Sequence, residues 1–372
     1  MATVDKRDAQ ASPWFVSQQS MKRTIAISID QLYRDQPGGI GTYVRGLLHG
    51  LSQVSSDEIV GIAPRGKVPS GLHLSSVSKA PLGVSLLTRS WPNVALGVPK
   101  NASVVHGTSM AGPFAGGTSA VHSVAMHDLL WRDEPSATTS AGIAFHEHRL
   151  ELLAQKKNIR IFTSSPGLKE RLVVEGFEAS RIFPIRLGVD DESVTPASSE
   201  QVRQLLSKHG VSGPFTFYAG TREPRKNLSS LIAAHRRARA TSPELGPLVI
   251  AGSKGWGEVS TQDAVVVGLV DWNILKGLYR DCTVFAYVPR AEGWGLSPIE
   301  ALNAGARVVV SSTTPSVNSN SNVVLVDPLS EESIADGLVR ALELDKHDEK
   351  RKQSVSEFTW KNCALDHLAG WA

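Results

Sequence analysis

Glu292 and Glu300 stand eight positions apart, with Gly293, Trp294, Gly295, Leu296, Ser297, Pro298 and Ile299 between them. Carboxylates accept hydrogen bonds from hydroxyl groups, so two of them around a glycine-rich turn can grip two parts of one polyhydroxylated ligand. Residues 283–288, Thr-Val-Phe-Ala-Tyr-Val, read as a strand buried on both faces. Ser297 followed by Pro298 predicts an N-cap and a first helical position. Glu292 then closes a strand and Glu300 lies in the first turn of the next helix, at the edge where open α/β sheets bind ligands. Backbone N–H groups of Gly293 and Gly295, with the helix N-terminus, supply an anion site between the two acids. This chemistry suits a phosphate-bearing, hydroxyl-rich ligand and not a purely apolar one. Glu300 also has a structural reading, because Ser297-x-x-Glu300 spells a capping box in which the glutamate returns to the Ser297 N–H. Glu292 has no comparable structural role.

Other groups gather at similar positions. Residues 218–227 read Tyr-Ala-Gly-Thr-Arg-Glu-Pro-Arg-Lys-Asn, a strand running into a loop with the adjacent cations Arg225 and Lys226. Asn227 is a good N-cap for a helix over 228–240. Two cations and a helix N-terminus can neutralise a departing pyrophosphate; the plainer alternative is a basic surface turn. Gly38-Gly39-Ile40-Gly41 follows the first strand and precedes a helix over 42–51. The run is not G-x-G-x-x-G, and a glycine turn alone signals phosphate weakly. Its place at the first strand–helix turn, which faces the crevice, strengthens it. His127, beside Asp128, ends a strand over 123–126, a place suited to chemistry; His106 is a weaker crevice candidate. Lys254, after a strand over 247–251, is a candidate second phosphate contact.

These residues need a scaffold of alternating strands and helices. Strands are expected at 24–29, 58–63, 103–105, 123–126, 159–163 and 181–186. A second series runs 215–219, 247–251, 264–267, 282–288, 307–310 and 323–326. The alternation predicts two Rossmann-like α/β halves with parallel sheets covered on both faces. Residues 1–21 are polar and read as a disordered extension. Domains are expected at 22–187 and 188–357, joined near the polar run 190–196, with an amphipathic segment over 358–371 at the end.

The block from Glu292 to Glu300 resembles the E-x7-E motif of retaining glycosyltransferases of family 4. Glu-Pro-Arg-Lys-Asn, residues 223–227, resembles the phosphate-binding loop of a mannosyltransferase-like branch of that family. The likeness covers roughly residues 22 to 371. It implies the GT-B fold: two Rossmann-like domains, a deep cleft, and a C-terminal helix, 358–372, crossing back to the first domain. It also implies that Glu292 contacts the transferred sugar and Glu300 the nucleotide ribose. His127 resembles the family's sugar-touching histidine, and Gly38 and Gly39 its N-terminal glycine loop near the diphosphate. Gly268-Leu269-Val270 resembles the segment whose backbone reads the nucleobase, and Gly293, Trp294, Gly295 and Leu296 are expected to line the donor site. Thr221 stands where much of the family has arginine, which shifts the expected cationic role to Arg225 and Lys226. The implied reaction transfers a hexose, mannose first, from a nucleotide diphosphate sugar such as GDP-mannose. The acceptor is a glycan or lipid-linked hydroxyl, and neither metal nor cofactor is needed.

Bulk properties narrow the alternatives. A net charge of +3, without a nucleic-acid-binding signature, argues against a nucleic-acid partner. Cys282 and Cys363 are isolated, which fits a reducing compartment and excludes a disulfide framework. No apolar run reaches the length of a spanning helix, so a cytoplasmic protein is expected. Basic clusters such as Lys156-Lys157 and His235-Arg236-Arg237 could meet an anionic surface at the inner membrane face in peripheral contact; their alternative is a solvated helix face. Two rivals share these features: a sugar-nucleotide 2-epimerase, which needs further cleft acids, and a non-catalytic nucleotide-binding partner in a glycan assembly complex.

Overall fold

The computed structural model describes residues 22–115, 119–189, 194–346 and 348–372. The expected extension over 1–21, and residues 190–193 of the expected linker, lie outside the described residues.

Seven strands, β1 (Thr24–Ser28), β2 (Glu58–Ala63), β3 (Ser76–Lys79), β4 (Val104–Gly107), β5 (Val121–Met126), β6 (Arg160–Thr163) and β7 (Ile182–Pro184), form one sheet in the order β3-β2-β1-β4-β5-β6-β7. Six more, β8 (Thr216–Ala219), β9 (Leu248–Ala251), β10 (Ala264–Gly268), β11 (Val284–Tyr287), β12 (Val308–Ser311) and β13 (Val324–Val326), form a second in the order β10-β9-β8-β11-β12-β13. Every pairing in both sheets is parallel. Central strands are mostly apolar and are buried along their whole length, as β1, β8, β11 and β12 show, because helices cover both faces. Strand order reverses between β1 and β4 and again between β8 and β11, the doubly wound arrangement in which ligands bind beyond the carboxyl ends at the switch point.

Two sequence expectations fail locally. Ser76–Lys79 forms the outermost strand of the first sheet, and its polar, half-exposed residues gave no apolar signal. The glycine run at 38–41 is also not a separate loop. It is the first turn of the helix Gly38–Val54, with Pro37 at the N-cap and the Gly41 N–H donating to the Pro37 carbonyl at 3.1 Å. A Cβ on Gly41 would lie 2.3 Å from the Pro37 Cβ, so only glycine permits that turn.

The last helix, Trp360–Trp371, returns to the first sheet and packs along the helix Gly38–Val54. Gly46 and Gly50 make the approach possible: an added Cβ would meet the Trp360 ring at 2.1 Å and the Trp360 carbonyl oxygen at 2.0 Å. Gly50→Ala is therefore expected to lower stability by about 1–3 kcal/mol, the usual range for overpacking. A urea midpoint equal to the parent's would count against this contact.

A buried hydrogen-bond chain fastens the same helix. The His367 Nδ1–H donates to the Cys363 carbonyl at 2.7 Å, so the neutral ring accepts at Nε2 from the Tyr43 hydroxyl, 2.8 Å away. Tyr43 Oη in turn accepts from His106 Nε2 at 2.8 Å. His106 Nδ1 then accepts from the Ser123 hydroxyl at 2.9 Å, and Ser123 Oγ accepts from the Trp371 indole N–H at 2.9 Å. Each proton has one direction that satisfies every member. His106, a crevice candidate by sequence, is thus wholly buried and serves the docking of the C-terminal helix.

Candidate active site

Glu292 lies just beyond β11 and the loop with Arg225 and Lys226 just beyond β8, so the switch point of the second sheet sets them side by side. The Glu292 carboxylate accepts from Lys226 Nζ at 2.5 Å, Tyr287 Oη at 2.5 Å, Arg225 Nη1 at 3.4 Å and its neighbour's Gly293 N–H at 3.2 Å. Burial alone would raise this carboxyl, but the charges of Lys226 and Arg225 and the bonds from Lys226 and Tyr287 outweigh it and hold the pKa at about 2. Burial draws the Lys226 ammonium below its ordinary value, with Glu292 opposing. Lys226 also bonds Tyr287 and stands 5.0 Å over its ring, and Arg225 has a second partner in Glu223 at 3.1 Å.

Asn227 occupies the N-cap position of the helix Leu228–Thr241, yet its side chain caps nothing. It adopts a left-handed φ of 58° and donates to the carbonyls of Val288 at 3.1 Å and Pro328 at 2.7 Å. The amide thereby clamps the cationic turn onto the end of β11.

Glu300 corrects the capping expectation. Its helix, Leu296–Asn303, starts before Ser297, with Gly295 at the N-cap in a left-handed φ of 97°. Ser297 and Pro298 therefore lie inside the first turn. The Glu300 carboxylate accepts instead from the Tyr279 hydroxyl at 2.7 Å, and burial raises its carboxyl above the ordinary value. An added Cβ on Gly295 would meet Thr314 at 2.5 Å, which keeps that turn tight.

The first sheet closes over this group. His127 follows β5; its Nε2–H donates to the Thr108 carbonyl at 2.9 Å, and its ring meets Tyr43 edge-on at 5.0 Å. Burial lowers its pKa, which keeps the ring neutral. Directly across lies Gly293, where a Cβ would come within 2.8 Å of the Asp128 Cβ and 2.9 Å of the His127 carbonyl oxygen. Gly39 faces Leu296, its would-be Cβ 4.0 Å from Cδ1. Beside it, Gln36 bridges to the second half, accepting from Ser253 Oγ at 3.1 Å and donating to the Lys254 carbonyl at 3.4 Å.

The structure thus gathers Glu292, Arg225, Lys226, Gly293 and His127 into one cluster, with Gly38, Gly39 and Leu296 on its rim. Trp294 and Gly293 line a cavity of about 720 Å³ beside Glu292. Lys254 adjoins that rim through its carbonyl, and with Arg222 it lines a second cavity of about 320 Å³. Val270 follows β10 and precedes the helix Trp272–Asp281, which carries Tyr279 towards Glu300. Sequence reasoning missed Tyr43, Tyr279 and Tyr287, and named Glu223 only as part of the block 223–227. Only Tyr287 left a signal, a hydroxyl at the end of a buried apolar strand, five positions before Glu292. Among the described residues no helix is long and apolar enough to cross a membrane.

The sequence and the fold are similar to those of known proteins. Residues 204–357 match the family described as glycosyl transferases group 1. O-antigen chain mannosyltransferase B of Escherichia coli is 28% identical over 259 residues, 65% of this chain and 68% of that protein. Serotype-specific mannosyltransferase WbdA of Escherichia coli is 26% identical over 186 residues, 46% of this chain and only 23% of that longer protein. Among solved structures, sucrose-phosphate synthase from Thermosynechococcus elongatus superposes with a TM-score of 0.71 at 17% identity, covering 94% of this chain and 98% of that one. WaaG, a glycosyltransferase involved in lipopolysaccharide biosynthesis, gives 0.68 at 14% identity over 93% of this chain and 98% of its own. The paired sheets are those of the GT-B fold, and the part of the chain that matches the group 1 glycosyl transferases, residues 204–357, is the part that carries Arg225, Lys226, Glu292 and Glu300.

Proposed function

We propose that the protein is a retaining mannosyltransferase. It moves a mannosyl unit from a nucleotide diphosphate sugar, GDP-mannose first among donors, to a hydroxyl of a glycan or lipid-linked acceptor in polysaccharide synthesis. The donor sugar is suggested by the activities named for the two Escherichia coli relatives. One observation carries the chemistry: an ionised Glu292 held between Lys226 and Arg225 at the switch point, facing the His127–Asp128 turn across the cleft.

In this reading the diphosphate enters beside Arg225 and Lys226, whose charge is already in place and needs no reorganisation when the leaving group becomes more negative. Release of part of that charge from Glu292 frees its oxygens for sugar hydroxyls. His127, neutral and oriented by Thr108, takes a further sugar contact, and Glu300 holds the ribose against Tyr279. Gly38 and Gly39 admit the phosphates from the opposite side, and Val270 lies by the nucleobase. The acceptor oxygen bonds to the anomeric carbon on the face the diphosphate leaves, and a diphosphate oxygen takes the acceptor's proton. No metal is required, since fixed cations meet the developing charge.

Two measurements test this. Thermal shift across a panel of nucleotide sugars should rank GDP-mannose first, because a ligand at 100 times its dissociation constant stabilises by about 2.7 kcal/mol. Glu300→Gln should weaken nucleotide binding by about 1–3 kcal/mol with little change in melting temperature, because a charged acceptor is lost while the bond from Tyr279 survives. Normal donor affinity in that variant would remove Glu300 from the ribose.

A further inference from the structure

Tyr43 stands between the last helix and the cleft and touches a group of each. It lies on the helix Gly38–Val54, about a turn and a half beyond the glycines of the cleft rim, and is wholly buried. Its hydroxyl is held from both sides, donating to His367 Nε2 on the last helix and accepting from His106 Nε2 on β4, each at 2.8 Å. With its one proton and an acceptor lone pair both in use, the hydroxyl has a single orientation, and the stiff ring behind it follows.

His127 rests against that ring. The contact is edge-to-face, 5.0 Å between centroids at 72°. The His127 carbonyl accepts from Ser164 Oγ at 2.6 Å, and its Nε2–H donates to the Thr108 carbonyl at 2.9 Å. One bond from Nε2 fixes a point of the imidazole and leaves the ring free to turn about it; the Tyr43 ring blocks that turn.

The last helix holds the far end of the same chain. His367 stacks on Phe162 at 4.6 Å and 11°, and its Nδ1–H is committed to the Cys363 carbonyl, so Nε2 must accept. Arg186 seats the helix independently, gripping Asp366 at 2.5 Å and 3.0 Å, so the helix keeps an anchor when a single bond of the chain is cut.

We propose that Tyr43 is a positioning residue: it carries the seating of the last helix, through His367 and its own ring, to His127, and so sets the imidazole for its sugar contact. The assignment rests on the reading above that His127 meets the transferred sugar, and adds the residues that aim it. A purely structural Tyr43 would tie the helix down and leave the imidazole where it is.

Tyr43→Phe keeps the ring and removes both bonds. His367→Leu removes the acceptor on the helix side, and His367→Gln puts an amide oxygen back near the lost Nε2. Both give up the stack on Phe162, so the difference between them isolates the bond to Tyr43. The first readout is the His127 imidazole NMR signal in protein carrying carbon-13-labelled histidine, assigned by its loss in His127→Asn. The second is release of GDP from GDP-mannose to water, set beside the Kd for GDP alone. Tyr43→Phe and His367→Leu should each move the His127 signal and lower turnover about ten-fold or more, the scale of a misplaced contact, with the Kd for GDP unchanged. His367→Gln should return both readouts towards the parent. The double variant Tyr43→Phe with His367→Leu should be no slower than the worse single one, because both cut the same chain.

A His127 signal and a turnover at parental values in Tyr43→Phe would overturn the proposal. Multiplied losses in the double variant would do the same, as would His367→Gln impaired to the level of His367→Leu. If Tyr43→Phe does not fold, the two His367 variants decide alone. Failure of the transferase reading has a different signature: the parent releases no nucleotide diphosphate from any nucleotide sugar, while the His127 signal still shows whether Tyr43 aims the ring.

Discussion

Lys226→Met is expected to lower stability by about 3–5 kcal/mol and to suppress transfer. The substitution keeps much of the side chain's volume but leaves the Glu292 carboxylate, 12% exposed, to Arg225 at 3.4 Å and the Tyr287 hydroxyl. Removing one member of a buried ion pair has that magnitude because the remaining charge stays desolvated. The three partners left to Glu292, the Gly293 N–H included, put the expected value at the lower end. Glu292→Gln alone strands the Lys226 ammonium in the same way. The double variant Lys226→Met with Glu292→Gln should recover part of the loss, since no uncompensated charge remains, yet should stay inactive because both proposed ligand contacts are gone. Urea denaturation of the parent, both single variants and the double gives the coupling energy directly. Additive losses would mean the pair is not coupled, and an active double variant would take both residues out of the chemistry.

Acid should weaken the attachment of the C-terminal helix. Burial lowers the His367 pKa to about 4, and burial and then the neighbouring His367 and His127 lower His106 well below its ordinary value. Both rings are neutral in the folded protein and ordinary in the unfolded chain, whose histidines titrate near 6.5. A depressed folded value means that the unfolded state binds more protons at acid pH. The stabilisation is therefore complete above 6.5 and declines as pH falls from there towards 4. For His367 alone the loss approaches about 3 kcal/mol at pH 4. Glu292 adds to it only at lower pH, as its carboxyl titrates between the ordinary 4.5 and about 2. Melting temperatures measured from pH 7 downward should fall steeply below 6.5, and His367→Gln should flatten that slope while lowering stability at neutral pH. A parent profile level between pH 7 and 5 would refute the buried neutral pair.

Much of this architecture could be read from local pattern. Apolar runs such as 283–288 and 307–310 are strands because a parallel sheet covered on both faces needs no polar alternation, and both sheets were anticipated on that ground. Edge strand Ser76–Lys79 escaped because half-exposed positions tolerate polar residues. Of the site, the types and spacing of Glu292, Glu300, Arg225, Lys226 and His127 were legible, because ends of strands and starts of helices leave local marks. What the sequence alone determined was therefore which residues sit at sheet edges with chemistry to offer. Only the tertiary structure decided whom they meet. Lys226 reaches Glu292 across 66 positions because β8 and β11 are neighbours while β9 and β10 lie to one side. Glu300 takes its bond from Tyr279, 21 positions earlier, and not from Ser297. His106 turns from the cleft into a buried chain with His367 because the last helix returns to the first sheet. Strand order and helix return are set by burial summed over the whole chain, and no spacing within a dozen residues encodes them.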